Sequence, residues 1–463
     1  MNKSPVFVNA THALAGFASE LKFEMIPSEI TEHAKLCILD SLACGLYGST
    51  LPWSEILYNT LKHLDNNPKS VVLGKPYKLS DQNAVLANGA FIHAFELDDL
   101  HPQSIVHPGS VVLPAIFAAI RYSNKEVTGR DLITALVAGY EVASRVGMAV
   151  GAAHLIQGFH PTGTHGTLGA AASAGKIMDL NLTQMHDALG IAGTQAAGLM
   201  CSQFESMVKR FHAGRAAQSG FLSVALGRDG YVGIKNLLES EYGGYLGTLS
   251  TKSFPELLTG GLGTVWETGN VGFKPYSTNG SCHPAIDIVL DFISKDEIDI
   301  ADVESVKVIV STATKEHVGW EYTPDTVTTA QMNLPYIISV VLADHDAFVD
   351  QFNQERIIDQ NLVAFSKRVS VEASKEIDLK GDSYRHETHI KIILKSGRVL
   401  EGSRIFAKGS RKLPLTTEEV ISKAEKLLLR SAQARNSNRI IEQVLEIDKL
   451  ASLSSFIDEL GDN

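Results

Sequence analysis

The helical pattern of this chain is interrupted once, and that interruption limits the folds it can adopt. Over about the first 265 residues, segments with apolar residues at helical spacing alternate with short polar breaks, as in Thr128–Gly151. After the glycine-rich stretch Thr259–Gly263, alternating β-branched segments predict strands. A capping box at Thr416–Glu419 then begins a helical pattern that continues to the C-terminus. The candidate strands are Val306–Ser311, Arg368–Glu372, His389–Leu394 and Val399–Glu401.

This order predicts a mainly α fold with an inserted α+β domain. A large helical domain would be formed from the N- and C-terminal segments, with a smaller α+β lid domain between them. We place the main part of the helical domain at 1–267, the α+β domain at 268–405, and the returning C-terminal helices at 406–463. Two domains also fit the length, because 463 residues exceed one ordinary hydrophobic core.

Composition narrows the class of protein. A net charge of −11 leaves no basic stripe for a nucleic-acid backbone, so no nucleic-acid partner is expected. The four cysteines form no CxxC pair, which fits a reducing compartment, and we predict a cytoplasmic protein. No uninterrupted apolar run reaches the roughly 18 residues that span a bilayer, so no membrane partner is expected either.

The segment Ala90–Pro114 carries three acids and three histidines between apolar runs. Charged groups are costly to bury without partners, so these side chains are proton carriers, metal ligands or parts of a solvated loop. If a helix continues from about Val85 to Asp99, His93 and Glu96 lie three residues apart on it. The residues are Glu96, Asp98, Asp99, His93, His101 and His107.

Within this segment, His107 lies in a loop before the next helix, where a side chain can reach a cleft, and is the candidate for catalysis. His93 and His101 are expected to be structural. A metal site on Glu96, Asp98 and His107 is the alternative, since carboxylates and imidazole suit Zn²⁺, Mn²⁺ or Fe²⁺. Without an HExxH or DxDxDG pattern, we predict no metal.

Three further segments combine histidines or basic residues with glycine or proline. His160 and His165 lie just before a helix rich in small residues, whose N-terminus suits a carboxylate or phosphate. Lys209, His212 and Arg215 recur every three residues, so one helical face is either an anion site or a solvated basic surface. The segments are His154–Gly169, Met207–Gly220, and Phe273–Pro284, which holds Lys274 and His283 at the predicted domain junction.

Together these four segments, in this order and spacing, resemble the MmgE/PrpD family, and the resemblance covers almost the whole chain. Known members include 2-methylcitrate dehydratase, cis-aconitate decarboxylase and iminodisuccinate epimerase. The resemblance implies an enzyme without cofactor that acts on a small anionic di- or tricarboxylate and is usually a homodimer.

The resemblance also implies roles for single residues. The active-site acid corresponds to Glu96 or Asp98, and the two histidines to His107 and His160. The substrate-binding residues would be Lys209, Lys274 and His283, to which we add Arg215 and Tyr322 as candidates. The chain departs from the decarboxylase pattern in having Leu100 for a threonine, Asn279 for a histidine, and one more residue before His107.

Removing a proton α to a carboxylate builds negative charge on the carboxylate oxygens, which fixed cations such as Lys209 and Lys274 would stabilise. A histidine can move the proton. The sequence therefore predicts a cofactor-independent, dehydratase-type lyase. The alternatives are an epimerase or isomerase of a related dicarboxylate such as iminodisuccinate, a cis-aconitate-type decarboxylase, a metal-dependent hydrolase, and a carboxylate-binding protein without activity.

Overall fold

The computed structural model describes residues 9–296, 298–381 and 384–461. These residues are mostly helical, as predicted, and they include one four-stranded mixed sheet. The helices before the sheet are α1 (Ala10–Glu20), α2 (Ser28–Gly48), α3 (Pro52–Leu64), α4 (Asp81–Ile92), α5 (Gly109–Ser123), α6 (Gly129–Val150), α7 (Ala153–Ile156), α8 (Pro161–Ile177), α9 (Leu182–Ala192), α10 (Ser202–Glu205), α11 (Val208–Arg228), α12 (Tyr245–Leu249) and α13 (His283–Asp296).

The sheet region contains shorter helices between its strands, and three helices follow it. The strands are β1 (Val303–Val310), β2 (Val369–Ala373), β3 (Thr388–Leu394) and β4 (Val399–Arg404). The helices are α14 (Thr312–Val318), α15 (Val327–Gln331), α16 (Leu334–Asp344), α17 (Gln354–Ile357), α18 (Gln360–Ser366), α19 (Lys375–Leu379), α20 (Thr417–Leu428), α21 (Ser437–Leu445) and α22 (Ser454–Glu459).

All four predicted strands are confirmed. The strand order is β2-β1-β3-β4, with β1 parallel to β2 and antiparallel to β3, and β3 antiparallel to β4. The turn between β3 and β4 has Gly397 at φ 84°, a conformation that glycine adopts without steric cost. Helix α13 packs against β3 and β4, and α16 packs against β2.

The helical core is centred on α8, which packs against α5, α6, α9 and α11. The predicted capping box of Thr416 and Glu419 is confirmed at the start of α20, and Thr128 and Asp131 form another at the start of α6. Helices α20 and α21 pack against α2, near the other end of the chain. The boundaries at 267 and 405 stay predictions.

One detail of the helix predictions was wrong. Helix α4 ends at Ile92 and does not continue to Asp99, because the residues after it turn toward partners elsewhere in the chain. Helix α6 is long and apolar enough to cross a membrane by length and composition, but the 18-residue stretch that meets this test is buried inside the molecule. Its charged residues Glu141 and Arg145 pair with each other there.

Candidate active site

The loop 94–108, between α4 and α5, is fixed by hydrogen bonds that its backbone carbonyls accept. Three successive carbonyl oxygens each accept hydrogen bonds from side chains far away in the sequence, which fixes the loop more firmly than its polar composition suggests. The bonds run from Ser277 Oγ (2.7 Å) and Gln331 Nε2 (3.0 Å) to Phe95, from Lys274 Nζ (3.1 Å) to Glu96, and from Lys423 Nζ (2.6 Å) to Leu97.

Glu96 is the residue on which the two predicted lysines meet. Its φ of 56° is a left-handed conformation that non-glycine residues rarely adopt and that surrounding contacts must hold. The Nζ atom of Lys209 donates to its carboxylate, and Nζ of Lys274 lies 3.5 Å from the other carboxylate oxygen. All three side chains are buried. The structure therefore brings together three of the predicted site residues.

Close contact between two glycines brings α11, the helix that carries Lys209, to the loop 94–108. At Gly89 of α4 and Gly214 of α11 the two backbones touch, since a Cβ atom added to Gly89 would lie 2.7 Å from the Cα of Gly214. A Cβ atom on Gly214 would lie 2.1 Å from the carbonyl oxygen of Leu86. Only glycine permits this approach, which places Lys209, five residues before Gly214, against Glu96.

Asp98 lies between two imidazoles. Its carboxylate accepts a hydrogen bond from Nδ1 of His93 at 2.8 Å, and its second oxygen lies 3.3 Å from Nδ1 of His107. A buried carboxylate at Nδ1 of histidine fixes the tautomer and stabilises the imidazolium that forms during proton transfer. Each of these rings can thus accept or deliver a proton at Nε2.

A second pair of imidazoles lies beside the first. The ring of His160 stacks on that of His93 with centroids 5.6 Å apart, and Nδ1 of His160 is 3.2 Å from Nδ1 of His212. His160 precedes α8, and His212 lies on α11, one turn after Lys209. Four imidazoles, two ammonium groups and two carboxylates therefore share one buried site.

Burial and charge set the protonation of this site. Burial alone would raise the pKa of Glu96, but the ammonium groups of Lys209 and Lys274 outweigh it and hold that pKa well below the usual value. Burial lowers the pKa of His107 to about 4 and that of His160 well below its usual value. Burial also lowers the pKa of Lys274. Near neutral pH, His107 and His160 are thus uncharged and able to accept protons.

The other predicted site residues lie further out. His283 is buried and close enough to Lys274 for the ammonium charge, after burial, to help lower its pKa to about 3. Arg215 is exposed on α11 and donates to Gln218, whereas Lys209 on the same predicted basic face is buried. The hydroxyl of Tyr322 donates to the carbonyl of Ile357 at 2.8 Å, and its ring packs against that of Tyr336.

His93 and His212 lie in this cluster, although the sequence did not predict a catalytic role for either. The sequence favoured a structural role for His93, and its closeness to Asp98 depends on the turn after α4. His101 meets the structural expectation, because its ring nitrogens are paired with Ser104 and Glu267. The spacing of His212 from Lys209 was the available signal, but nothing in the sequence shows that this face of α11 points inward.

Within the described residues, His93, Asp98 and His107 could hold a metal ion, since one ligand atom from each lies within 4.8 Å of the others. The metal alternative in the sequence used Glu96 as a third ligand. Its carboxylate instead pairs with two lysine ammonium groups, which compete with a cation for the same oxygens.

Known families and proteins match this chain over most of its length. The family model of the MmgE/PrpD N-terminal domain matches residues 12–257, and that of the C-terminal domain matches residues 276–447. The chain is 34% identical to a cis-aconitate decarboxylase-like protein of Aspergillus oryzae and 32% identical to cis-aconitate decarboxylase of Aspergillus terreus; each alignment covers 97% of this chain and 96% of the relative. Cis-aconitate decarboxylase of Mus musculus is 25% identical over 97% of this chain and 93% of its own length.

Proposed function

Since the chain belongs to the MmgE/PrpD family and is a lyase of that kind, we propose that it decarboxylates cis-aconitate or a close tricarboxylate analogue without a metal or organic cofactor. The observation that carries the proposal is a buried group of charges. Two lysine ammonium groups lie against the Glu96 carboxylate, next to two imidazoles that lie against the Asp98 carboxylate. The names of the full-length relatives favour decarboxylation among the reactions that such a site can perform.

Lys209 and Lys274 would bind carboxylates of the substrate in competition with Glu96. Loss of CO₂ breaks a carbon–carbon bond and leaves its electron pair on the substrate, delocalised toward a remaining carboxylate. Two fixed ammonium groups in a dry site stabilise that developing charge. Glu96, held against the same ammonium groups, keeps the site close to neutral overall until substrate arrives.

The electron pair left on carbon must then be protonated. An imidazole that has taken a proton from solvent can deliver it, and Asp98 stabilises the imidazolium at His107 or His93. His160, next to His212, is the second candidate donor. Protons and charge balance, because a tricarboxylate takes up one proton and gives a dicarboxylate and CO₂.

Dehydration of a hydroxylated tricarboxylate is the second candidate, favoured by Asn279. Its side chain accepts from the backbone N–H of Ser281 at 2.9 Å, so it caps a turn, and it has no ionisable group where decarboxylase members have a histidine. The same bases would remove an α proton while a protonated hydroxyl leaves. An epimerase would make the proton transfer alone.

Proton NMR in D₂O with cis-aconitate, citrate, 2-methylcitrate and iminodisuccinate, with CO₂ measured in parallel, separates these reactions. We expect CO₂ and a deuterated dicarboxylate from cis-aconitate. An alkene from citrate or 2-methylcitrate indicates dehydration, and α-deuterium without a new skeleton indicates epimerisation. Failure with all four compounds contradicts the proposal.

The matched variants are Lys209→Met and Lys235→Met. Lys235 is a surface lysine paired with Asp187, so its loss leaves the site intact. We expect Lys209→Met alone to lose activity, and full activity in that variant contradicts the role of the ammonium pair. Activity that disappears after chelation and returns with a divalent metal would instead support a metal-dependent enzyme. The predicted homodimer is tested by light scattering.

A further inference from the structure

A second group of basic side chains comes from the sheet region and borders the site. Its members are His283 at the start of α13, His317 on α14, and Arg385 and His386 just before β3. None of the last three was predicted from the sequence, and the proposed reaction has not used them.

Direct contacts connect this group to the loop 94–108 and to the helices of the site. A terminal nitrogen of Arg385 donates to the carbonyl of Pro102, within the loop 94–108, at 3.2 Å. Helix α14 packs against the turn Gly280–Cys282, which leads into His283. Nε2 of His317 lies 2.7 Å from Oε1 of Gln203 on α10. The group therefore lies where the sheet region meets the helices that carry the lysines and histidines.

The hydrogen bonds of His386 fix its tautomer. Nε of Arg385 can only donate, and it lies 2.9 Å from Nε2 of His386, so Nε2 accepts. The proton of a neutral His386 is consequently on Nδ1. That nitrogen is enclosed and has no hydrogen-bond partner among the described residues. A buried donor without an acceptor is costly, so an acceptor is expected from a ligand.

The surrounding charge favours an anionic acceptor. Burial lowers the pKa of His386 well below its usual value, and the charge of Arg385 lowers it further, so the ring stays a neutral donor. Burial also lowers the pKa of His317 to about 4, with Lys209 and Arg385 adding to the effect. Lys274 and Lys423 lie near enough to His283 to act on it in the same way. The positive charge of these lysines and of Arg385 favours a carboxylate as the acceptor.

We propose that His386 and Arg385, with His317 beside them, bind a carboxylate of the substrate other than those held by Lys209 and Lys274. This inference rests on the proposed function and refines it, because it assigns recognition of the third carboxylate to the sheet region. A site with three carboxylate positions selects tricarboxylates over dicarboxylates.

Calorimetric titration with two unreactive ligands tests the subsite without turnover. Propane-1,2,3-tricarboxylate has three carboxylates, and glutarate has two on a chain of similar length. We expect the wild-type protein to bind the tricarboxylate more tightly. His386→Phe should weaken that binding by roughly tenfold to a hundredfold, as for loss of one buried hydrogen bond to a charged group, and leave glutarate binding unchanged.

His386→Asn is the conservative variant, because its side-chain NH₂ can donate from nearly the same place as Nδ1, and it should restore part of the affinity. His389→Asn is the matched control, since that half-exposed histidine on β3 pairs with Glu387 and should not matter. Equal affinities for both ligands in the wild-type protein, or an unchanged tricarboxylate affinity in His386→Phe, overturn the subsite.

Turnover assays on the same variants separate this inference from the proposed function. If no substrate is turned over but His386→Phe still loses tricarboxylate binding selectively, the subsite is supported and the proposed reaction fails. If the wild-type protein decarboxylates cis-aconitate and His386→Phe leaves both its KM and the tricarboxylate affinity unchanged, the subsite fails and the reaction is supported.

Discussion

Replacing Lys423 by methionine should destabilise the protein by about 3–5 kcal/mol, the usual effect of removing one partner of a buried ion pair. Nζ of Lys423, on α20, lies 2.5 Å from Oδ1 of Asp40 on α2 and 2.6 Å from the carbonyl of Leu97. Lys423 and Asp40 are 5% and 1% exposed, so water cannot take the place of the ammonium group. Methionine keeps the volume but removes the ammonium group from both oxygens.

The pH dependence of that loss follows from Asp40. Burial already raises the pKa of Asp40, and Lys423 opposes the rise. Without Lys423 the folded-state pKa rises further above the unfolded value, so the penalty is present at neutral pH and shrinks as Asp40 becomes protonated on acidification. The double variant Asp40→Asn/Lys423→Met should recover much of the stability.

The assay is urea unfolding followed by circular dichroism and by tryptophan fluorescence. Coincident transitions by the two probes indicate two-state unfolding, which permits the free energies of unfolding to be compared. Lys426→Met is the control, because Lys426 is exposed on the same helix and its loss should change stability by no more than about 0.5 kcal/mol. If the Lys423 and Lys426 variants unfold at the same urea concentration, the ion pair does not contribute as argued.

Three further outcomes are expected. Asp98→Asn should lower kcat by roughly 10²–10⁴-fold with an unchanged circular dichroism spectrum, because the imidazoles lose the carboxylate that supports them; steady-state kinetics with wild-type turnover would contradict this. The melting temperature should fall from pH 6.5 toward pH 4, because burial lowers the pKa of His107 to about 4 and the unfolded chain takes up protons that the folded chain does not; a flat profile would refute it. Only Cys201 should react with a disulfide reagent in the native protein, since the other cysteines are buried, and denaturant should release all four thiols.

Local signals in the sequence predicted the elements well. The cap at Thr416 and the alternation in β3 depend on residues within a few positions of each other, and the structure confirms them. The predicted continuation of α4 through Glu96 was wrong for the opposite reason. The left-handed turn at Glu96 is held by Lys209 and Lys274, more than a hundred positions away along the chain.

The same contrast between local signals and distant contacts holds for the site residues. Glu96, Asp98 and the two lysines were found by their segments, and the structure brings them together. The support that fixes them was not predictable, since Asp40 and Lys423 come from opposite ends of the sequence and neither belongs to a motif. The catalytic and binding roles assigned to Glu96, Asp98 and the two lysines stay predictions.

The contact between Gly89 and Gly214 has a consequence for how such a site can diversify. Two helices that touch backbone to backbone can neither slide nor rotate past one another, so the distance between the lysine helix and the loop 94–108 is fixed by main-chain atoms. New substrates can then be accommodated only by exchanging side chains around a constant frame. A designer who wishes to alter specificity here should leave the crossing alone and vary the opposite wall, where the sheet region supplies the side chains.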